Sequence, residues 1–293
     1  MSRPLLTDTH VHFYDLTRPE LRYDWLRSGG DPDENAVLGE YGAIRAERYR
    51  AEDFRRETRF AGVGHVVHVQ AAIGTADPVD ETRWLAAARE RTGTPDAAVV
   101  YADLAAPDAA DVLAAHLEHD LVRGVRDLRH DAYLTDPAWQ EGFGRLGPLG
   151  LVCCDDPRVE DVDTVLALLD RHPDVVYCLD HTMFPVARTP EYFTAWRAAL
   201  GRLAERPNTV VKISGLGQVD HEWTVESLRP WVLAAIEAFG VSRSFFGTNW
   251  PVDRLYSSYG DVLDAYDRIT ADFAANERDQ LFHGTADRVF RLG

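Results

Sequence analysis

The run Asp8-Thr9-His10-Val11-His12 sets two imidazoles two residues apart. If the apolar stretch Leu5–Val11 is a strand, residues two apart share a face, so His10 and His12 point the same way from its C-terminal end. Imidazoles so placed can ligate one divalent cation; the plainer alternative gives each an ordinary hydrogen bond. A third imidazole, His181, follows Leu179-Asp180 at the end of another apolar run. Should the three converge, they would leave one position of a tetrahedral ion open for water, as catalytic zinc requires. The turn Gly247-Thr248-Asn249-Trp250-Pro251 ends a late run and brings Asn249 to a comparable place. An amide has no basic lone pair at neutral pH, so Asn249 cannot be a general base. It can orient a water, donate to a substrate oxygen or ligate weakly. Asp253, four residues on, reads as a loop residue or a partner of Arg254.

Other side chains could serve the same chemistry. His68 and Gln70 are two apart on one run and are candidates for a pocket wall, with His68 or His181 managing protons. Tyr101 and Asp103 end the next run, and Trp250 flanks Asn249. Arg126 carries a guanidinium fork that suits a carboxylate; a salt bridge to Asp127, Asp103 or Asp131 is the equal alternative, and Arg129 and His130 lie close enough in sequence to share the task. Lys212 sits inside an apolar run and either neutralises a carboxylate or snorkels to the surface. Cys153 and Cys154 read as buried thiols rather than nucleophiles.

These residues fall at the ends of eight short apolar runs: Leu5–Val11, His65–Ala71, Ala97–Ala102, Leu121–Asp127, Leu149–Cys154, Val175–Leu179, Thr209–Ile213 and Ser244–Gly247. Runs of this kind suit strands buried on both faces of a parallel sheet. Between them, Glu81–Arg91, Asp108–His119, Val159–Arg171, Glu191–Glu205, Val225–Phe239 and Asp261–Phe273 repeat apolar residues at spacings of three and four, as helices do. Asp80, Pro107-Asp108 and Thr189-Pro190 supply start signals, and the tail Asn276–Leu292 reads as two short helices broken at Gly284. Eight strand–helix alternations predict an α/β (β/α)₈ TIM barrel, one domain over residues 1–293, with its site at the strands' C-terminal ends. Residues 15–53 break the pattern and predict a long loop after the first strand, its aromatics Tyr14, Tyr23, Trp25 and Tyr41 more suited to pinning the loop than to covering a substrate.

Composition narrows the partners. A net charge of −17 over 293 residues opposes nucleic acid and acidic membranes. A local Arg still permits a small anionic substrate. No apolar run approaches the ~20 residues of a membrane helix, and residues 1–6 show no secretory signal. Three cysteines make no disulfide framework, so a cytoplasmic setting is the simpler expectation. The sequence is compatible with a homo-oligomer. No GxGxxG or GxxxxGK[ST] follows an early strand.

The segments Thr7–Phe13, Leu179-Asp180-His181, Val211–Leu216 and Phe246–Pro251, with Val69-Gln70, Glu81–Leu85 and Arg123–Arg126, together resemble the amidohydrolase superfamily, in particular its amidohydrolase-2 branch of sugar lactonases and 2-pyrone-4,6-dicarboxylate lactonase. The resemblance spans nearly the whole chain in order. It implies that His10, His12 and His181 are metal-site or carbonyl-polarising positions, with zinc the first choice of ion, although some members work without metal. It implies that Arg126 holds a substrate carboxylate. It also implies an Asp at the end of the eighth strand as the group that takes a proton from water, where this chain has Asn249, and an acid near the end of the fifth, where it has Cys154-Asp155. The expected function is therefore a hydrolase that opens a lactone or similar cyclic ester. The loss of the usual Asp keeps two alternatives open: a decarboxylase, hydratase or C–C bond-cleaving barrel, and a non-catalytic ligand-binding barrel.

Overall fold

The computed structural model describes residues 3–26, 39, 42, 44, 46–127 and 132–293. Eight parallel strands follow one another around the sheet: β1 (Leu6–Val11), β2 (Val63–Val69), β3 (Ala97–Val100), β4 (Val122–Val125), β5 (Val152–Asp155), β6 (Tyr177–Leu179), β7 (Thr209–Ile213) and β8 (Ser244–Phe246). The ring is completed where Thr9 Oγ1 donates to the Phe246 carbonyl at 2.8 Å and the His12 amide to the Trp250 carbonyl at 2.7 Å, with a parallel bridge between Val11 and Trp250. This is the (β/α)₈ barrel the runs predict.

Each strand is followed by a helix: α1 (Ala51–Glu57), α2 (Val79–Thr92), α3 (Ala109–Leu117), α4 (Pro137–Leu149), α5 (Val162–Arg171), α6 (Pro190–Ala204), α7 (Val225–Phe239) and α8 (Tyr259–Ile269). The start signal acts as read at Thr189-Pro190, where Thr189 accepts the Tyr192 amide, while Asp108 holds only the N-cap position of α3, without a side-chain cap. Asp80 instead lies inside the first turn of α2.

Apolar side chains alternate between two cores, as strand periodicity of two requires. Val66, Ala98, Val100, Cys153, Tyr177, Val211 and Phe246 face the helices. Val67, Val69, Val99, Val152, Cys154, Cys178, Val210 and Phe245 fill the lumen, which Phe290 of the C-terminal helix (Thr285–Phe290) closes from below. The same parity sends Arg126, Asp180, Lys212 and Ser214 inward, above the apolar plug. No helix among the described residues is long and apolar enough to cross a membrane.

Three expectations are corrected. Helix α4 carries Gly142, Gly144, Gly147 and Pro148, which hid it from periodicity. Its glycine at 142 has a packing reason: a Cβ there would lie 2.0 Å from the Leu104 carbonyl oxygen. Leu149, read as the start of a strand, ends this helix. The tail does not break at Gly284, whose backbone stays helical through a π-type turn, Gln280–Gly284. Residues 27–38, 40, 41, 43 and 45 of the long loop lie outside the described residues, Tyr41 among them. The described part packs as expected: Tyr14, Tyr23 and Trp25 form a ring cluster, and Tyr14 donates to the Ile44 carbonyl at 2.5 Å.

Candidate active site

His10 and His12 project from the mouth end of β1, their Nε2 atoms 3.2 Å apart. His12 Nδ1 lies 2.9 Å from the Val69 carbonyl, which can only accept, so Nδ1 carries the proton and Nε2 bears a lone pair. His10 Nδ1 faces Asp180 Oδ2 at 3.8 Å, and neither atom has a hydrogen-bond partner. Each ring thus has Nδ1 turned to a protein acceptor and Nε2 turned to the mouth. Two nitrogens bound to one tetrahedral zinc at 2.0–2.1 Å stand about 3.3 Å apart, close to the spacing here. The donor chemistry of this pair therefore fits a divalent cation.

His181 arrives by an unusual backbone. His181, Thr182, Met183 and Phe184 have φ of 51, 54, 61 and 36°, a left-handed turn built without glycine. Each such residue costs roughly 1–2 kcal/mol. The Trp196 indole offsets part of this by donating to the Thr182 carbonyl at 2.8 Å. The turn breaks strand alternation, so that Asp180 and His181, neighbours in sequence, both face the mouth. His181 Nδ1 meets Ser214 Oγ at 2.9 Å, and its ring centroid lies 4.4 Å from that of His10. Gly215 permits this approach: a Cβ would stand 2.4 Å from His181 Nδ1. The three imidazoles share one mouth but are not a preformed three-nitrogen cage.

Among the described residues, the trio of donor atoms within 4.8 Å of one another is Cys154, Cys178 and Asp180. A cation already occupies that position. Lys212 Nζ lies 2.8 Å from Asp180 Oδ1 and 3.8 Å from Cys154 Sγ. Lys212 does not snorkel; it is fully buried, where it neutralises the Asp180 carboxylate. Burial opposes its charge, but Asp180 and the two thiols hold its pKa above the usual lysine range. Burial likewise opposes the Asp180 carboxylate, and Lys212, then Arg126, hold it below its usual range. Cys153 and Cys154 are buried, as expected.

Arg126 reaches Asp156 Oδ2 at 3.6 Å and Asp180 Oδ2 at 3.4 Å, so its ion pairs run to acids other than those the sequence suggested. Its Nε, and both amide atoms of Gln70, are buried without hydrogen-bond partners. Arg129, His130 and Asp131 lie outside the described residues. Tyr101 follows β3 half-buried, its carbonyl accepting from His116 Nε2 at 3.0 Å.

Two sequence-based roles are displaced. His68 sits opposite Val67 and Val69 in the alternation and turns out toward α2. Its Nδ1 accepts the Phe13 amide at 3.2 Å and its Nε2 contacts Glu81 Oε1 at 3.2 Å, leaving no nitrogen for proton transfer. Glu81 also accepts the Ala71 and Ala72 amides, so the pair is a clasp for the loop after β2. The Trp250 indole turns away from the mouth, donating to Glu57 Oε2 at 3.1 Å and packing edge-on against Tyr259. Asp155 faces the helix layer, where the Tyr133 and Tyr177 hydroxyls donate to it at 2.7 and 2.6 Å. Sequence reasoning overlooked Ser214 and the hub at Asp180. The signal for Ser214 was its spacing of two from Lys212.

Burial lowers the pKa of His10 well below the ordinary value and those of His12 and His181 to about 3, so all three are neutral at pH 7. Burial raises Asp8 to about 6 and Asp155 and Asp253 to about 7. The signs oppose. The three raised carboxylates contribute stability that is full below pH 3.8 and is lost as pH rises through 6–7. The imidazoles contribute stability present above 6.5 and lost as pH falls. Each full proton difference is worth about 1.4 kcal/mol per pH unit, so the sets cancel between roughly pH 4.5 and 6.5. Below pH 4 the unfolded carboxylates also hold protons, and only the imidazole loss continues. Urea midpoints of EDTA-treated protein should therefore be flat across pH 4.5–6.5 and fall steeply below 4. A steady fall beginning at pH 6.5 would contradict these assignments.

The chain matches known proteins over its full length. The uncharacterized protein y4mH of Sinorhizobium fredii is 36% identical, with both chains covered completely. An L-fucono-1,5-lactonase of Burkholderia ambifaria is 28% identical, covering 97% of this chain and 95% of that one. The crystal structure of an amidohydrolase from Burkholderia multivorans with bound zinc superposes with a TM-score of 0.82 at 28% identity, covering 99% of this chain and 100% of that one. The family model described as amidohydrolase matches residues 7–292, and the chain belongs to that family as an amidohydrolase-type hydrolase.

Proposed function

We propose that the protein hydrolyses the ring ester of a small polar lactone, with sugar 1,5-lactones the first class to test. The observation that carries this reading is a set of buried, unsatisfied polar atoms just past the C-terminal ends of β2 and β4. Gln70 Oε1 and Nε2 and Arg126 Nε are enclosed without hydrogen-bond partners, Arg126 Nε having only its 3.4 Å ion pair to Asp180. Buried polar atoms are rarely left unpaired, and each such atom costs about 1–3 kcal/mol unless something binds it. A ligand with hydroxyl or carboxylate oxygens satisfies an amide and a guanidinium together. The 28% identity to an L-fucono-1,5-lactonase supports the same substrate class.

Gln70 and Arg126 bind and orient the substrate's polar groups. Asn249 positions the attacking water. With His68 engaged elsewhere, His181 is the imidazole placed to move a proton from the water to the ring oxygen that leaves. The donor chemistry supports a divalent metal, zinc being the ion that imidazoles with an open position suit best. Held by the Nε2 atoms of His10 and His12, such an ion would supply Lewis-acid polarisation of the ester carbonyl, leaving His181 free for the proton.

The test is acid release from a panel of sugar 1,4- and 1,5-lactones, run beside aryl carboxylates monitored for CO₂. Turnover of at least one lactone well above the buffer rate is expected. Release of CO₂ with every lactone untouched would replace this reading with a decarboxylase. Inertness to the whole panel would also overturn it.

A further inference from the structure

Asn249 is not an isolated replacement for an acid. Its Nδ2 donates to Asp253 Oδ1 at 2.8 Å, across one turn of the Val252–Leu255 segment. Both side chains are buried, at 2% and 3% exposure. Asn249 has φ +58°, a left-handed conformation that Asn tolerates better than most residues. The groups around Asp253 do not explain a buried carboxylate. Among the described residues no Lys or Arg pairs with it, and Arg254 turns to Glu57. Asp8 on β1 faces it with the same charge, and Tyr266 on α8 is the remaining titratable neighbour. Asp8 is itself satisfied by the Thr248 amide and hydroxyl and by the Tyr259 hydroxyl. A buried carboxylate whose one described side-chain donor is an amide is costly, and a neutral residue would pack there more cheaply.

We propose that Asp253 is a positioning residue that fixes the Asn249 amide with Nδ2 turned inward and Oδ1 turned to the mouth, so that Asn249 presents an acceptor to the attacking water. This rests on the lactonase reading for its kinetic consequence, but not for the orientation itself. An ionised carboxylate can only accept, which forces the NH₂ group toward it. Among the described residues nothing donates to Asn249 Oδ1. A carboxylate at residue 249 would offer water an acceptor without help; an amide offers one only if its rotation is fixed. Burial, with Asp8 adding to it, pushes the Asp253 carboxyl up to about 7 against the Asn249 hydrogen bond, so the orienting charge is lost at mildly acid pH.

Two arms test this. Protein labelled with ¹⁵N at asparagine is compared with Asp253→Asn, the Asn249 side-chain signal being the one absent from Asn249→Ala. One Nδ2 proton should be shifted downfield and protected from exchange in the parent and lose both properties in Asp253→Asn. On the most active lactone, Asp253→Asn should lower kcat about 10- to 100-fold, with KM changed less than about threefold and the acid limb of the pH profile removed. The exchanged pair Asn249→Asp with Asp253→Asn keeps one amide–carboxylate hydrogen bond and should recover kcat, whereas Asn249→Asp alone confronts two buried carboxylates and should not. An Asn249 amide signal unmoved by Asp253→Asn, or an unchanged kcat, overturns the proposal. If no lactone is turned over, the amide signal alone decides, and the function and the orientation fail separately.

Discussion

Asp180→Asn should destabilise the protein by about 3–5 kcal/mol. The substitution is nearly isosteric, so little packing is lost. What is lost is the charge between two buried cations. Lys212 Nζ sits 2.8 Å from one Asp180 oxygen and Arg126 Nε 3.4 Å from the other, with Lys212 and Asp180 wholly enclosed. An amide cannot balance the ammonium, and the lumen below it is lined by Val, Cys and Phe, with Phe290 5.7 Å from Nζ. Desolvation is then uncompensated, and the ammonium must lose its proton or draw in water. Urea unfolding at pH 7 measures the change as a lower midpoint at unchanged slope. A second substitution, Lys212→Met, should return much of the loss, because it removes the orphaned charge rather than restoring its partner. A loss below 1 kcal/mol, or no recovery in the double variant, would mean that water or another group already solvates Lys212.

The frame of the fold was readable because its information is local. Thr209–Ile213 and Val225–Phe239 coincide with β7 and α7, since a buried strand and an amphipathic helix each write their period into a short window. Helix α4 was hidden because its glycines answer to neighbours distant in sequence, such as Leu104, and not to helix propensity. The site was readable only in part, for the same reason. His10 and His12 are set by strand parity. His68 shows how parity fails without an anchor: its face could not be assigned until Val67 and Val69 were seen against Phe245 inside the lumen. Asp180 and His181 share the mouth through a left-handed turn that no glycine announces. Lys212 could be narrowed to two roles, but its partner lay 32 residues away on the adjacent strand's end.

His10→Gln and His12→Gln should each lower kcat/KM on the most active lactone by about 10²- to 10⁴-fold, the range by which positioned proton-transfer and polarising groups act. Both rings present Nε2 to the mouth at a mutual 3.2 Å, and glutamine retains polarity and bulk but offers no imidazole nitrogen there. His68→Gln is the matched control. It removes an imidazole of equal burial whose nitrogens serve Phe13 and Glu81, so it should lower stability by about 1–3 kcal/mol while leaving kcat/KM within about threefold. Elemental analysis of protein purified without added metal or chelator separates the two roles open to the first pair. Near-stoichiometric zinc or another divalent ion in the parent, lost in His12→Gln, would assign the pair to metal binding. A parent free of divalent ions yet active, and still crippled by His12→Gln, would assign the imidazoles to accepting a hydrogen bond or proton from the attacking water through their Nε2 lone pairs. Full activity in both variants would remove these histidines from the chemistry altogether and leave the mouth they share with His181 without an enzymatic role.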